Sequence, residues 1–153
     1  MADPIAAFNF EVILAPSGQG GDEGVSRTAS FSDVSGLEIA VDAVVVREGG
    51  YNHGVRQLLG RTTSPALVLK RGLTADRAFW DWIQRCLSGR YPLPYVDGEV
   101  HVYAPDRSML ARWTFHNGVC LRVRSADLNA SAASTIALEE LHIAHEGLVR
   151  EAP

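Results

Sequence analysis

The sequence is short of the features that mark secreted, membrane-spanning and nucleic-acid-binding proteins. Cys86 and Cys120 are its only cysteines, too few for a disulfide framework, so we expect two reduced thiols. No apolar run approaches the ~18 residues of a membrane span. Residues 1–10 have no basic region before an apolar one, so we expect synthesis in the cytoplasm without a signal peptide. The net charge of −4 argues against a nucleic-acid-binding surface.

The chain is also poor in charge for its size. Its 153 residues fit a single domain, 1–153, with a substantial core. Charged residues make up 21%, against a usual ~25%, which suggests more apolar surface than a free monomer needs. Four glycines between Ser17 and Gly24 predict a flexible loop over residues 17–24. No Lys-Ser/Thr pair follows this loop, so it does not fit a phosphate-binding loop.

Short segments rich in Val and Ile, separated by turn residues, predict a mainly β protein. In the strand predicted over residues 37–46, one face is apolar throughout. The opposite face begins polar at Glu38 and Asp42 and becomes apolar at Val44 and Val46. A strand with one solvated face stays polar there, so we expect the far half to be covered on both sides, by this chain or by a neighbour.

Two turn signals fall in the second half of the chain. The first, Pro105–Ser108, predicts a hairpin. The predicted pairs are Ala104 with Met109, Tyr103 with Leu110, Val102 with Ala111, His101 with Arg112, and Val100 with Trp113. The second signal, Asn117–Gly118, is typical of a tight hairpin, but that turn would place Arg122 on the apolar face. We therefore predict a bent continuous strand or a bulge, with Trp113, Phe115, Val119, Leu121 and Val123 sharing one face.

The last long segment, residues 134–148, changes its apolar parity at Glu139-Glu140. Either a bulge lies there or the strand passes between the cores of two neighbours; a helix is the competing interpretation, and strand is favoured.

One helix is clear, at about 74–88. Thr74 is its predicted N-cap and Gly89 follows its end. Phe79, Ile83 and Leu87 define its apolar face, Trp82 lies at the edge of that face or beyond, and the tryptophans either close over the sheet or contact a partner.

No catalytic, cofactor or metal site emerges from these residues. In the segment His142–Glu146 the two histidines are three apart and the glutamate follows the second, whereas the helical zinc motif needs a spacing of four. On a strand, this spacing points the two rings to opposite faces. No Gly-x-Ser-x-Gly elbow is present, and neither cysteine has a recognisable histidine signature. We therefore expect no catalytic residue, no cofactor and no metal.

Several ordered blocks of sequence resemble one known family. The chain resembles the tail tube proteins of contractile-tailed phages and the inner tube proteins of extracellular contractile injection systems. The resemblance covers about residues 5–148 and is carried by Phe31–Glu38, Arg47–His53, Leu69–Thr74, Phe79–Trp82, Asp127–Ala130 and Glu139–Leu148.

This resemblance implies two packed antiparallel sheets with one flanking helix, and strands that join those of neighbours in a hexameric ring. Rings would stack into a hollow tube inside a contractile sheath and deliver DNA or protein cargo, without enzymatic activity. The implied partners are further copies of the chain, the sheath protein, baseplate and tube-terminator proteins, and the cargo. The assembled particle would be a phage tail or a phage-tail-like device.

The resemblance also suggests roles for individual residues. An inter-subunit loop is expected over residues 47–60. Its inter-subunit and ring-stacking contacts are assigned to Arg47, Glu48, His53, Arg56, Val44 and Val46. The helix would face the sheath through Asp81 and Arg85, and Glu38 and Asp42 are candidates for the lumen. Two alternatives remain open: a tube-initiator or baseplate-proximal ring protein of the same fold, and a small β-rich enzyme or metal-binding module using His142, His145 and Glu146.

Overall fold

Strands account for most of the folded chain. The computed structural model describes residues 9–17, 27–29, 31–131 and 134–153, with only the backbone of residues 27–29. Most of the Gly-rich segment predicted as a loop, residues 18–24, lies outside them. The elements in chain order are β1 (Phe10–Pro16), β2 (Arg27–Ala29), β3 (Asp33–Ser35), β4 (Ala40–Val46), β5 (Arg56–Thr63), β6 (Leu67–Gly72), α1 (Ala78–Ser88), β7 (Val96–Tyr103), β8 (Met109–Arg124) and β9 (Leu138–Glu151).

The described strands form two antiparallel sheets. Seven strands make one curled sheet in the order β2-β1-β7-β8-β9-β6-β3, and β4 and β5 make a second, two-stranded sheet. The predicted mainly β fold, with two antiparallel sheets and one helix, is confirmed. Residues 56–60, which were expected to belong to the inter-subunit loop, are part of β5, so the connection between β4 and β5 is limited to residues 47–55.

The long strands β8 and β9 bend at bulges. The pairing register shifts between His116 and Val119 of β8, where Asn117 has a positive φ of 50°. This confirms a continuous, bulged strand through Asn117–Gly118. The expectation that Val119 and Leu121 continue the face of Phe115 is wrong, because the extra residue in the bulge reverses the parity: Cys120 is buried and Leu121 is 57% exposed.

The β7–β8 hairpin has most of its predicted register. Val102 pairs with Ala111, His101 with Arg112, and Val100 with Trp113. At the turn the prediction is wrong by one residue, because a register shift after Val102 pairs Tyr103 with Met109 instead of Leu110.

The last segment is the strand β9, as favoured, and the helical alternative is wrong. Its pairing with β6 runs without a shift from Leu138 to Ile143, so the bulge considered at Glu139-Glu140 is absent from this pairing. Glu139 shares the buried parity with Leu141, while Leu138 and Ile136 are 39% and 78% exposed. The change of parity read from the sequence therefore reflects a buried glutamate and two exposed apolar side chains.

Helix α1 begins at Ala78, four residues after the predicted start. Thr74 is not its N-cap: the Asp76 carboxylate accepts a hydrogen bond of 3.0 Å from the Ala78 N–H and so holds the preceding residues in a turn. The predicted end is confirmed, because Gly89 is in the left-handed conformation with φ of 61°. Its buried face centres on Phe79 and Trp82, so Trp82 lies within the apolar face and not at its edge or beyond. Leu87, predicted to belong to that face, is instead 72% exposed.

One hydrophobic core lies between the two arms of the curled sheet and under α1. It combines side chains from β1, β6, β7, β8 and β9 with Phe31 and the helix residues Phe79 and Trp82. Of the described residues, none from β4 or β5 belongs to it. The hairpin formed by these two strands therefore extends away from the core that stabilises the rest of the chain.

Candidate assembly surfaces

The β4–β5 hairpin exposes an unusual amount of apolar surface. Leu59 is 89% exposed, and four more apolar side chains are about half exposed: Val41, Val44, Val45 and Leu58. Val44 and Val45 point to opposite faces of β4, so neither face is covered by this chain. A contiguous apolar patch of this kind marks an interaction surface. Val44 and Val46, predicted to contact neighbours, belong to this surface, although Val46 is itself half-buried.

A bulge in β5 lies opposite one of the residues predicted to face the lumen. The register of β4 with β5 shifts between Val41 and Ala43, where Asp42 alone faces two residues of β5, Gly60 and Arg61. A side chain at Gly60 would lie 2.9 Å from the Asp42 carbonyl, so glycine allows this close approach. Asp42 and Glu38 are both exposed, and no ion pair or hydrogen bond joins them in the described part of the chain. Their orientation to a lumen stays a prediction.

The connection between β4 and β5 brings together two of the predicted stacking residues. Arg56 Nε donates to Glu48 Oε2 at 2.8 Å, and the Arg56 guanidinium lies 5.4 Å from the centre of the Tyr51 ring. Exposed ion pairs of this kind contribute about 0–1 kcal/mol, so the pair stabilises this conformation of the connection only weakly. Arg47 and His53 are exposed and outside this group. Tyr51 was missed from sequence, where its position beside two glycines was the available signal.

The helix presents two different surfaces around its outward side. Asp81 forms an exposed i,i+4 ion pair with Arg77 at 3.6 Å. Arg85 lies further along and lines a cleft of about 630 Å³ between the end of α1 and residues 90–94. The two predicted sheath-facing residues are therefore in separate environments. Both tryptophans close over the sheet: Trp82 is 1% exposed, and the Trp80 indole N–H donates to Glu139 Oε1 at 2.8 Å.

A buried ion pair attaches α1 to the sheet. Glu139, 2% exposed, accepts a hydrogen bond of 2.9 Å from Arg71 Nε of the neighbouring strand, in addition to the one from Trp80. The Arg71 guanidinium lies 3.9 Å from the centre of the Phe79 ring and 3.4 Å from an Asp76 oxygen. Sequence reasoning missed this group, because only the pairing of Arg71 with Glu139 brings the two charges together.

The histidines are dispersed rather than gathered around a reactive centre. His142 Nε2 lies 3.4 Å from Glu140, and the His145 ring packs 5.5 Å from Phe115, where burial lowers the pKa of its imidazole. His101 Nε2 lies 2.6 Å from Glu99 in a hydrogen-bonded chain that continues through Tyr103 to Glu11. Within the described ranges, no group of three His, Cys, Asp or Glu side chains is placed to hold a metal ion.

The two thiols are poor nucleophiles. Cys86 and Cys120 are both free. Burial raises the pKa of Cys86 and raises the pKa of Cys120 to about 12, so both remain protonated near neutral pH. As for membranes, none of the helices in the described ranges is long and apolar enough to cross one.

Comparison with known proteins places this geometry in a family. The profile of the T4-like virus tail tube protein gp19 matches residues 6–149. No curated protein sequence matches significantly. A chain from the PVC sheath–tube complex of an extracellular contractile injection system is 22% identical with a TM-score of 0.80, over 98% of this chain and 93% of its own.

Two further solved structures share the fold. A chain of the anti-feeding prophage baseplate has a TM-score of 0.82 at 19% identity, over 99% of this chain and 97% of its own. Hcp1 from Flavobacterium johnsoniae is more distant, with a TM-score of 0.56 at 13% identity over 94% of both chains. The match of the family profile over nearly the whole length shows that this chain belongs to the T4-like virus tail tube protein gp19 family.

Proposed function

We propose that this protein is the structural subunit of the inner tube of a contractile injection machine, without catalytic activity. Hexameric rings stack into a hollow tube, a contractile sheath surrounds it, and baseplate and terminator proteins close its ends. The tube carries DNA or protein cargo across a target envelope. The observation that carries the proposal is the β4–β5 hairpin, whose apolar side chains are uncovered on both faces in a chain of the tail tube family.

The hairpin supplies both a driving force and a geometry for ring formation. Fully burying one Val or Leu side chain contributes about 1.5–3 kcal/mol. Covering Leu59 and the four half-exposed side chains of the hairpin therefore contributes on the order of 5 kcal/mol per subunit. A two-stranded sheet also has two free edges, which can pair with strands of other copies. Closing these pairings around a ring leaves no free edge, which favours a closed ring over an open aggregate.

Assignments of the remaining surfaces follow from the same arrangement. The connection at residues 47–55 and the first residue of β5 carry polar groups beyond the apolar hairpin. This suits contacts between stacked rings through Arg47, Glu48, His53 and Arg56. Glu38 and Asp42 are exposed acidic side chains at the start of the hairpin and suit a polar lumen. Helix α1, which packs on the core and not on the hairpin, faces the sheath.

Electron microscopy of the purified protein tests the proposal. Wild-type protein should form long hollow tubes with six-fold rings. Leu59→Lys places a charge at the most exposed apolar position of the hairpin and should leave folded monomers. Leu87→Lys is the matched control, because Leu87 is 72% exposed on the helix and lies outside the hairpin. Tubes of normal length from Leu59→Lys would refute the role of the hairpin.

Charge reversal tests the stacking assignment separately. Arg47→Glu or Glu48→Lys should prevent tube growth while leaving the chain folded, since both lie in the β4–β5 connection. Normal tubes from both variants would eliminate this assignment. Wild-type protein that forms single rings and never stacks would indicate the alternative, a ring protein near the baseplate; the fold resemblance to a chain of the anti-feeding prophage baseplate supports keeping this alternative.

A further inference from the structure

We propose that the cleft between the C-terminal end of α1 and residues 90–94 binds an acidic segment of the sheath subunit that also carries an apolar side chain. The inference rests on the proposed function, because it takes α1 as the outward face of a tube. It goes further in naming the binding site and the chemistry of the segment that fits it. The cleft is lined by Gln84, Arg85, Ser88, Arg90, Tyr91, Pro92, Leu93 and Pro94.

The charge of the lining selects an acidic ligand. Two arginines line the cleft, and none of the described residues that line it is acidic. Arg90 is exposed and forms no ion pair with any of the described residues, in contrast to Arg77 at the opposite end of the helix, which pairs with Asp81. A carboxylate entering the cleft would meet the Arg90 guanidinium, and guanidinium groups bind carboxylates with paired, charge-assisted hydrogen bonds.

The end of the helix opposes this charge only in part. Helix C-terminal carbonyls carry a partial negative charge that would repel an acidic ligand. Here the Arg85 carbonyl accepts a hydrogen bond of 2.8 Å from the Ser88 hydroxyl, and the Cys86 carbonyl accepts one of 3.4 Å from the Gly89 N–H. Two of the four terminal carbonyls are therefore satisfied within the chain, and the exposed Arg90 guanidinium supplies the positive charge that attracts a carboxylate.

The same cleft offers an apolar anchor on a fixed frame. Tyr91, in the lining of the cleft, is 87% exposed, and Leu87, in the last turn of α1 and outside the lining, is 72% exposed. Tyrosine is enriched among the residues that dominate interface energies. The wall is held in place because Trp82 Nε1 donates to the Pro94 carbonyl at 2.8 Å, which connects the segment to the buried face of α1. A fixed wall lowers the ordering cost of binding.

Co-assembly with the sheath subunit of the same particle is the test. Tubes from wild-type protein should be covered by sheath, and tubes of Arg90→Glu should be bare in the same micrographs. Arg77→Glu, outside the cleft, should be covered like the wild type. Absence of tubes in the wild type would refute the proposed function, whereas covered tubes of Arg90→Glu would refute only the cleft as the sheath site.

Labelled peptides give a second readout that does not need the sheath. Nonapeptides of Glu and Leu should bind the tubes with at least tenfold higher affinity than peptides of Lys and Leu or of Ser and Leu, measured by fluorescence anisotropy. Arg90→Glu should reduce that affinity at least tenfold, and Arg77→Glu should not. Equal binding of the three compositions would overturn the proposal. So would binding that appears only after Asp22→Asn with Glu23→Gln, because an acidic segment of this chain would then be the occupant.

Discussion

The buried pair of Arg71 and Glu139 supports a quantitative prediction. Glu139→Leu leaves the Arg71 guanidinium, which is 7% exposed, without its carboxylate partner and removes the acceptor of the Trp80 indole N–H. Breaking a buried ion pair on one side typically costs about 3–5 kcal/mol. Asp76, at 3.4 Å from Arg71, retains part of the interaction, so we expect about 3 kcal/mol for this variant.

The double variant Arg71→Met with Glu139→Leu should lose much less stability than Glu139→Leu alone. It removes the uncompensated charge and replaces both groups with apolar ones, which is often nearly neutral, within about 1 kcal/mol. Urea unfolding followed by tryptophan fluorescence measures both variants, since Trp80 and Trp82 lie at this junction. Glu140→Gln is the control, because Glu140 is on the outer face of the same strand. Equal losses in the single and double variants would refute the reasoning, because the energy would then come from packing and not from the unpaired charge.

Two further predictions concern the core. Burial lowers the pKa of His145, so this histidine binds a proton at a higher pH in the unfolded chain than in the folded one. The free energy of unfolding should therefore decline as the pH falls below about 6.5. In thermal unfolding measured at several pH values, His145→Phe should make that decline smaller. Gly98→Ala should destabilise by about 1–3 kcal/mol or more, because its Cβ would lie 2.1 Å from the buried Phe115 ring. Gly72→Ala, with no neighbour within 4 Å, should change the urea midpoint little, and a similar change in both would refute the clash.

Much of the fold could be predicted from pattern and turn chemistry alone. Alternating residues and the turn at Pro105–Ser108 located the β7–β8 hairpin, and the change of parity at Asn117–Gly118 indicated a bulged strand where a dipeptide rule would have placed a turn. The errors arose where a single side-chain contact, near or distant in sequence, changed a local pattern. The carboxylate of Asp76 delayed the start of α1, and Glu139 was buried because Arg71 lies opposite it.

The candidate surfaces were harder to predict than the fold. Val44 and Val46 stood out because they broke an alternation, and this signal belongs to the strand itself. The cleft beside Arg90 has no such signal, because it forms only when the hydrogen bond from Trp82 to Pro94 brings a loop against the helix. Tyr51 and Arg56 meet for a similar reason, across the connection of a hairpin.

The separation of the β4–β5 hairpin from the core has a consequence for the order of events in assembly. None of the described residues of this hairpin belongs to the hydrophobic core, so the hairpin gains stability mainly from contacts with neighbouring subunits. The fraction of chains in which the hairpin is folded therefore depends on the concentration of subunits. Folding and assembly of this segment are then one equilibrium. A preformed ring that presents free strand edges would lower the subunit concentration at which the hairpins of the next subunits fold. Tubes would then grow from such a ring at concentrations where free subunits remain monomeric.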